Sequence, residues 1–207
     1  MVVYFVTPRK GKPPRAITAT DLADFYICPR RFLYRKVFGQ KPNYAMLKGM
    51  QAHVKKYNEH KARAKTRIEL GTAVDMAAAG DELIGREVEV FGNGIYGIID
   101  EVRLYQGEAV VVDFKSALSP RGKLQVLAYA SALKALGCSQ ITVQITRTND
   151  GEVLWEKSFS DDDYWMVESV KQRFYSAVRS GIFPKKAEHN SCKTCPFAKM
   201  CGTTAPI

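Results

Sequence analysis

Asp113 and Lys115 close the apolar stretch "AVVVDFK" (109–115). On a strand, residues i and i+2 project to one face, roughly 6–7 Å apart along the backbone. Both groups are expensive to bury unless they are paired or bound to an ion. Either they pair with each other, which is the commoner use of D-x-K, or the carboxylate holds a cation and the lysine faces the same substrate. Upstream, "YGIIDEVRL" (96–104) ends an apolar run on Asp100. Hairpin pairing across Gly107 brings Asp100 close to Asp113. Two such carboxylates repel unless a divalent cation lies between them, and oxygen ligands of this kind suit Mg²⁺ or Mn²⁺. The chemistry open to this set is phosphodiester hydrolysis. The cation neutralises the phosphate and makes a hydroxide-like nucleophile, while the lysine orients water or stabilises charge on the phosphoryl oxygens.

Gln125 and Tyr129 are four residues apart on the helix that follows, so they share a face that packs back towards the strand. His53, in "LKGMQAHV" four residues after Gly49, is a further candidate ligand on a helix. His60 and His189 are assigned to surface or core.

The elements that must position these residues follow from turn and cap signals. "ITATDLADFYICPRRFLYRKVFGQ" (17–40) reads as two short helices, with Thr20 as N-cap and Pro29 restarting the helix after Cys28. A basic helical region covers about 44–79. From about 86 the period changes to three strands, turned at Asn93-Gly94 and Gln106-Gly107. Ser119 caps a helix over 120–136, with Pro120 at its first position and Gly137 past its end. "QITVQITR" (140–147) and "EVLWEKSF" (152–159) read as a hairpin. A last helix starts at Ser160–Asp163 and stops at Gly181. The order predicts an α/β fold with helical lobes outside it.

The chain of 207 residues is long enough for one domain with a real core. The expected organisation is a basic helical lobe over about 18–80, an α/β core over about 86–181, and a tail over 182–207 that closes onto Cys28. No apolar run reaches the about 20 residues that span a bilayer, and the opening "MVVYFVTPRKGK" reverses a secretory signal, so a cytoplasmic location without membrane association is expected. The net charge of +10 is concentrated. Residues 48–67 carry seven Lys/Arg against Glu59 alone, 29–36 is a second cluster, and Lys185-Lys186 a third. Phe32 and Tyr34, interleaved with the second cluster, point to a nucleic-acid groove rather than a merely solvated face.

Of five cysteines, Cys192, Cys195 and Cys201 form C-x2-C-x5-C, and Cys28 stands far upstream. Three clustered thiolates and a remote fourth suit zinc or an iron–sulfur cluster, and the missing second C-x2-C pair favours iron–sulfur. Such a centre, closing a loop over most of the chain, is expected to be structural. Cys138 reads as a small buried residue.

These motifs resemble a known family. "GIID" (97–100), "VVDFKS" (111–116) and "QVLAY" (125–129) are similar to the RecB-like branch of the PD-(D/E)XK nucleases. "ICPRRFLY" (27–34), "LKGMQAH" (47–53) and the cysteine triad match its iron–sulfur members, specifically the CRISPR-associated RecB-like exonuclease family. The resemblance implies a mixed central sheet flanked by helices, the restriction-endonuclease-like core, with an N-terminal helical lobe and a C-terminal cysteine tail. It implies a single-strand DNA exonuclease, with endonuclease activity as an addition, that trims DNA ends in spacer acquisition alongside the CRISPR integrase proteins. By motif position, His53, Asp100, Asp113 and the carbonyl of Phe114 would bind Mg²⁺ or Mn²⁺. Lys115 would be the catalytic lysine, and Gln125 and Tyr129 would complete the site. Cys28, Cys192, Cys195 and Cys201 would hold a 4Fe-4S or 2Fe-2S cluster. Asp113 departs from the Glu common at this motif position in the wider superfamily. Being shorter, it repositions the metal without removing a ligand. The competing expectations are a non-catalytic iron–sulfur scaffold that binds DNA ends, and a zinc-stabilised regulator of nucleic acid.

Overall fold

The computed structural model describes residues 2–39, 44–185, 192 and 195–201, with backbone alone at 44–46 and 48. In chain order the elements are β1 (Val2–Val6), β2 (Ile17–Thr18), α1 (Ala19–Ile27), α2 (Pro29–Phe38), α3 (Tyr44–Arg63), β3 (Thr66–Arg67), α4 (Leu70–Ala78), β4 (Glu82–Gly92), β5 (Ile95–Tyr105), β6 (Glu108–Lys115), α5 (Pro120–Lys134), β7 (Gln140–Arg147), β8 (Val153–Ser158) and α6 (Asp161–Ser180). One sheet runs β3-β1-β4-β5-β6-β7-β8, and β2 pairs with β5. The strands β4, β5 and β6 form an antiparallel meander. The α5 crossover then makes β7 parallel to β6. This is the expected mixed α/β fold, a central mixed sheet flanked by helices.

Local chemistry places the meander and its helix. Asn93-Gly94 and Gln106-Gly107 all have positive φ, as two-residue hairpin turns require. The Ser119 hydroxyl accepts from the Gly122 amide at 3.1 Å, with Pro120 in the first turn. Ser160 and Asp163 form a capping box, and Gly181 ends α6 in the left-handed conformation. The N-cap of α1 is Thr18, not Thr20. Thr18 ends β2 with extended dihedrals, and its hydroxyl accepts from the Asp21 amide at 2.9 Å. Thr20 already lies in the first turn of α1.

One strand was not foreseen, and two further expectations are corrected. The opening apolar run is β1, parallel to both β4 and β3. The basic region after residue 44 is not one helical stretch, because β3 interrupts it to join the sheet edge. Phe32 is no base platform. It is buried against Phe174 and Phe183, with ring centres 5.3 and 6.1 Å away. Tyr34 packs on Phe197 of the tail at 5.8 Å, and its hydroxyl donates to the Met200 carbonyl at 3.4 Å. Phe32 and Tyr34 face inward while the basic neighbours stay hydrated, and Phe38 at the end of α2 is exposed. His60 is buried, with Nε2 2.8 Å from the Phe5 carbonyl. His189 and Lys186 lie outside the described residues.

The helix α5 lies deep against β4 and β5, buried from Leu124 to Leu133. Two glycines permit this approach. A Cβ on Gly92 would stand 2.2 Å from the Ala132 carbonyl oxygen, and one on Gly97 would stand 2.4 Å from the Tyr129 ring. At the other side of α5, buried Asp24 of α1 pairs with Arg35 of α2 and with Arg121 of α5, the latter at 2.5 Å. Three helices are thereby tied through one carboxylate. Because the obstacle at Gly92 is backbone, Gly92→Ala is expected to lower stability by about 1–3 kcal/mol. Urea unfolding measures this, and an unchanged midpoint would contradict the close seat.

Candidate active site

The apolar alternation of β4 and β5 changes phase at one level of the sheet. In β4 the buried residues are Leu83 and Gly85, then Val88, Val90 and Gly92. In β5 they are Ile95, Gly97 and Ile99, then Val102 and Leu104, with Glu101 also buried in ion pairs to Arg86 and Arg103. Both shifts fall where Glu87 and Asp100 stand opposite each other, between the pairs Arg86↔Glu101 and Val88↔Ile99. Glu87 has φ +50°, a left-handed conformation costly for a residue with a side chain. The apolar alternation of the two strands changes phase at the same level, and one acid from each stands at the change. Strain of this kind concentrates at functional sites.

His53 reaches these acids from α3. Its Nδ1 is 3.3 Å from Asp100 Oδ1 and 3.4 Å from Glu87 Oε1. One ligand atom from each of the three lies within 4.8 Å of the others, the one such group among the described residues. The two carboxylates push the His53 pKa up to about 10, Asp100 first and Glu87 second, against the opposing effect of burial. Asp100 is fixed by its other oxygen. The β5–β6 ladder ends at Glu101↔Val112, and the Phe114 amide donates to Asp100 Oδ2 at 2.7 Å.

Asp113 follows the same cross-strand progression onto β6 but lies outside the tight trio. Its side chain is 1% exposed, with Lys115 Nζ 2.6 Å from Oδ2. Among the described residues neither oxygen has an aligned hydrogen-bond donor. Burial pushes its pKa up to about 6, Lys115 opposes the shift, and Asp100 adds to it. A buried carboxylate so poorly served has the capacity to ligate a cation, and with the trio it forms the oxygen-rich, imidazole-containing donor set that a hard divalent ion accepts. On the α5 side, Gln125 Nε2 donates to Tyr129 Oη at 2.8 Å and to Thr20 Oγ1 at 3.4 Å, while Gln125 Oε1 has no hydrogen-bond partner among the described residues. Burial and the Asp113 charge raise the Tyr129 pKa, so its hydroxyl stays neutral.

The structure therefore brings His53 to Asp100, Lys115 to Asp113, and Gln125 to Tyr129. Phe114 enters through its amide, and its ring turns towards α3, where Lys56 Nζ lies 3.6 Å from the ring centre. Burial and Arg86 depress the Lys56 pKa. Glu87 is the residue that sequence reasoning missed. The signal was present as the odd-to-even shift in "LIGREVEV" (83–90), mirrored in "IYGIIDEVRL" (95–104).

The cysteines occupy another region. Cys28 joins α1 to α2, and Cys28, Cys192, Cys195 and Cys201 are half-buried and free. They do not form a tight ligand group of the His53 kind. The tail turn is stitched by Ala198 N–H to the Cys195 carbonyl at 3.1 Å and Cys201 N–H to the Phe197 carbonyl at 3.0 Å, and Tyr34 docks it on α2. Cys138 is buried, which pushes its thiol up to about 11.

Residues 45–202 match the sequence pattern of the PD-(D/E)XK nuclease superfamily. No curated protein matches the chain. Among solved structures, that of SSO0001 is similar over 95% of this chain and 90% of that one, at 15% identity and a TM-score of 0.51, and the likeness is one of fold. LHK-Exo in complex with dAMP covers 80% of this chain and 89% of its own, at 11% identity and a TM-score of 0.47. The alkaline exonuclease LHK-Exo from Laribacter hongkongensis has the same identity and coverage and a TM-score of 0.41.

Because Glu87 belongs to the trio, Glu87→Gln is expected to weaken Mn²⁺ binding at least about tenfold, the scale on which a metal's supporting groups act. Calorimetric titration of the metal measures it, and unchanged affinity would remove Glu87 from the site.

Proposed function

Since the chain belongs to the PD-(D/E)XK nuclease superfamily, we propose that it is a divalent-metal-dependent deoxyribonuclease whose site is His53, Glu87, Asp100, Asp113 and Lys115. The observation that carries this reading is the buried Asp113 carboxylate, without aligned donors, beside Lys115 and next to the His53–Glu87–Asp100 trio. Mg²⁺ or Mn²⁺ held by these carboxylates, His53 and the Phe114 carbonyl would neutralise phosphate charge and acidify water. The chain's own residues do the rest. Lys115, aimed by its ion pair with Asp113, orients the attacking water and faces charge that builds on the phosphoryl oxygens. The Phe114 amide holds Asp100 at a fixed angle. Gln125 and Tyr129, seated on Thr20 and Gly97, form a neutral polar wall that positions the lysine and the strand without adding charge.

The finer reading is a single-strand DNA exonuclease, with endonuclease activity as an addition, that processes ends for CRISPR spacer acquisition with the integrase proteins in the cytoplasm. Its support is the motif resemblance and the basic surface of α3 and the segment after it, where Lys55, Lys61, Arg63, Lys65 and Arg67 are exposed. Among the described residues, no helix is long and apolar enough to cross a membrane. An iron–sulfur cluster on Cys28, Cys192, Cys195 and Cys201 belongs to the same reading. It is supported by the four free thiols and by the docking of the tail on the helix that Cys28 begins.

Labelled single-stranded DNA incubated with Mn²⁺ tests the activity. Lys115→Met is expected to slow cleavage by about 10²–10³-fold, and Asp113→Ala to abolish it. Equal degradation by Asp113→Ala and the unmodified chain overturns the assignment. DNA binding without any metal-dependent cleavage would favour a scaffold instead. The absorption spectrum tests the cluster: the protein is expected to be brown, with a band near roughly 400 nm from thiolate-bound iron that is lost in Cys195→Ser.

A further inference from the structure

Lys56 lies one turn beyond His53 on α3, with its ammonium 3.6 Å from the centre of the Phe114 ring. Phe114 is the middle residue of the Asp113–Lys115 motif. Strand alternation turns its ring to the opposite side of β6 from those two side chains. The Arg86 guanidinium approaches the same ring at 5.6 Å. Two cations therefore lie by one aromatic ring, and among the described residues only Arg86 of the two has a counter-ion, Glu101 at 2.5 Å. Among the described residues Lys56 forms no ion pair, although it is half-buried.

Of the nearby carboxylates, Asp100, Glu87 and Glu101 have other partners, while Glu59, three residues on along α3, is exposed and acts on Lys56 without forming an ion pair with it among the described residues. Asp100 serves His53 and the Phe114 amide, Glu87 serves His53 and Arg9, and Glu101 serves Arg86 and Arg103. A half-buried ammonium beside a guanidinium and without a contact ion pair has hydrogen-bonding capacity left to fill, and an aromatic face answers that need only in part. A phosphate would supply both the charge and several acceptor oxygens. The geometry points to Lys56 as the contact for a backbone phosphate next to the one that is cut, with Phe114 as the platform that aims it. Lys115 then meets the strand on one side of the metal trio and Lys56 on the other. This assignment rests on the nuclease reading.

The experiment is fluorescence anisotropy of a labelled single-stranded oligodeoxynucleotide, with Ca²⁺ in place of the catalytic cation, over about 50–200 mM salt. Removing one phosphate contact lowers the slope of log affinity against log salt by about 0.7 for a single strand. Lys56→Met and Lys56→Gln are expected to show this loss together with several-fold weaker binding. Lys56→Arg is expected to retain most of both. Lys134→Met, on the distant end of α5 and paired with Asp161, is expected to leave the slope unchanged. If folded Lys56→Met or Lys56→Gln binds with the unmodified slope, Lys56 is only a packing cation and the inference is overturned. If the unmodified chain binds no DNA, the nuclease reading falls with it. Binding with an unaltered slope in the variants overturns the phosphate assignment alone.

Discussion

Asp100 uses its two carboxylate oxygens for different tasks, and the arrangement of the site depends on that division. Oδ2 accepts the Phe114 amide and replaces the next rung of the β5–β6 ladder. Oδ1 faces His53. A carboxylate held by a backbone amide cannot rotate away from a like charge, so the neighbouring acids must be accommodated around it. Glu87 is turned by a strained backbone, Asp113 is buried beside Lys115, and His53 approaches from a separate helix. Each feature is unfavourable or neutral alone. Together they make sense as a place that concentrates oxygen ligands before an ion arrives.

Such a site needs a rigid support, because gathered carboxylates would otherwise relax apart. The sheet provides one wall. The helix α5 provides the other, and it can come close enough only because Gly92 and Gly97 lack side chains. Packing and electrostatics thus meet at Tyr129. Its ring fills the space over Gly97, while its hydroxyl takes the Gln125 amide at the edge of the acidic cluster. The same residue is core on one side and site on the other.

Much of this was readable beforehand, for identifiable reasons. Turns and caps depend on neighbouring residues, so Asn93-Gly94, Gln106-Gly107, Ser119-Pro120 and the Ser160–Asp163 box could be read directly. Asp113 and Lys115 declared themselves because charges at the end of an apolar strand need a reason. Other features depended on tertiary context. Five residues of β1 carry too little alternation to reveal a strand that pairs with neighbours 60 and more positions away. Phe32 looked exposed among arginines, and only the approach of α6 and its following segment, through Phe174 and Phe183, makes it core. Glu87 was hidden differently. An acid in an alternating strand gives no sign by itself, and two strands changing phase at the same level reveal it.

The shared change of phase also bears on the order in which the site is assembled. Glu87 and Asp100 belong to one hairpin, closed by the tight Asn93-Gly94 turn, whereas His53 and Asp113 come from elements outside it. Short loops close at little entropic cost and early in folding. A hairpin formed before α3 docks would present two facing anions without the imidazole that reconciles them, and a cation in the medium would there do what His53 does in the finished molecule.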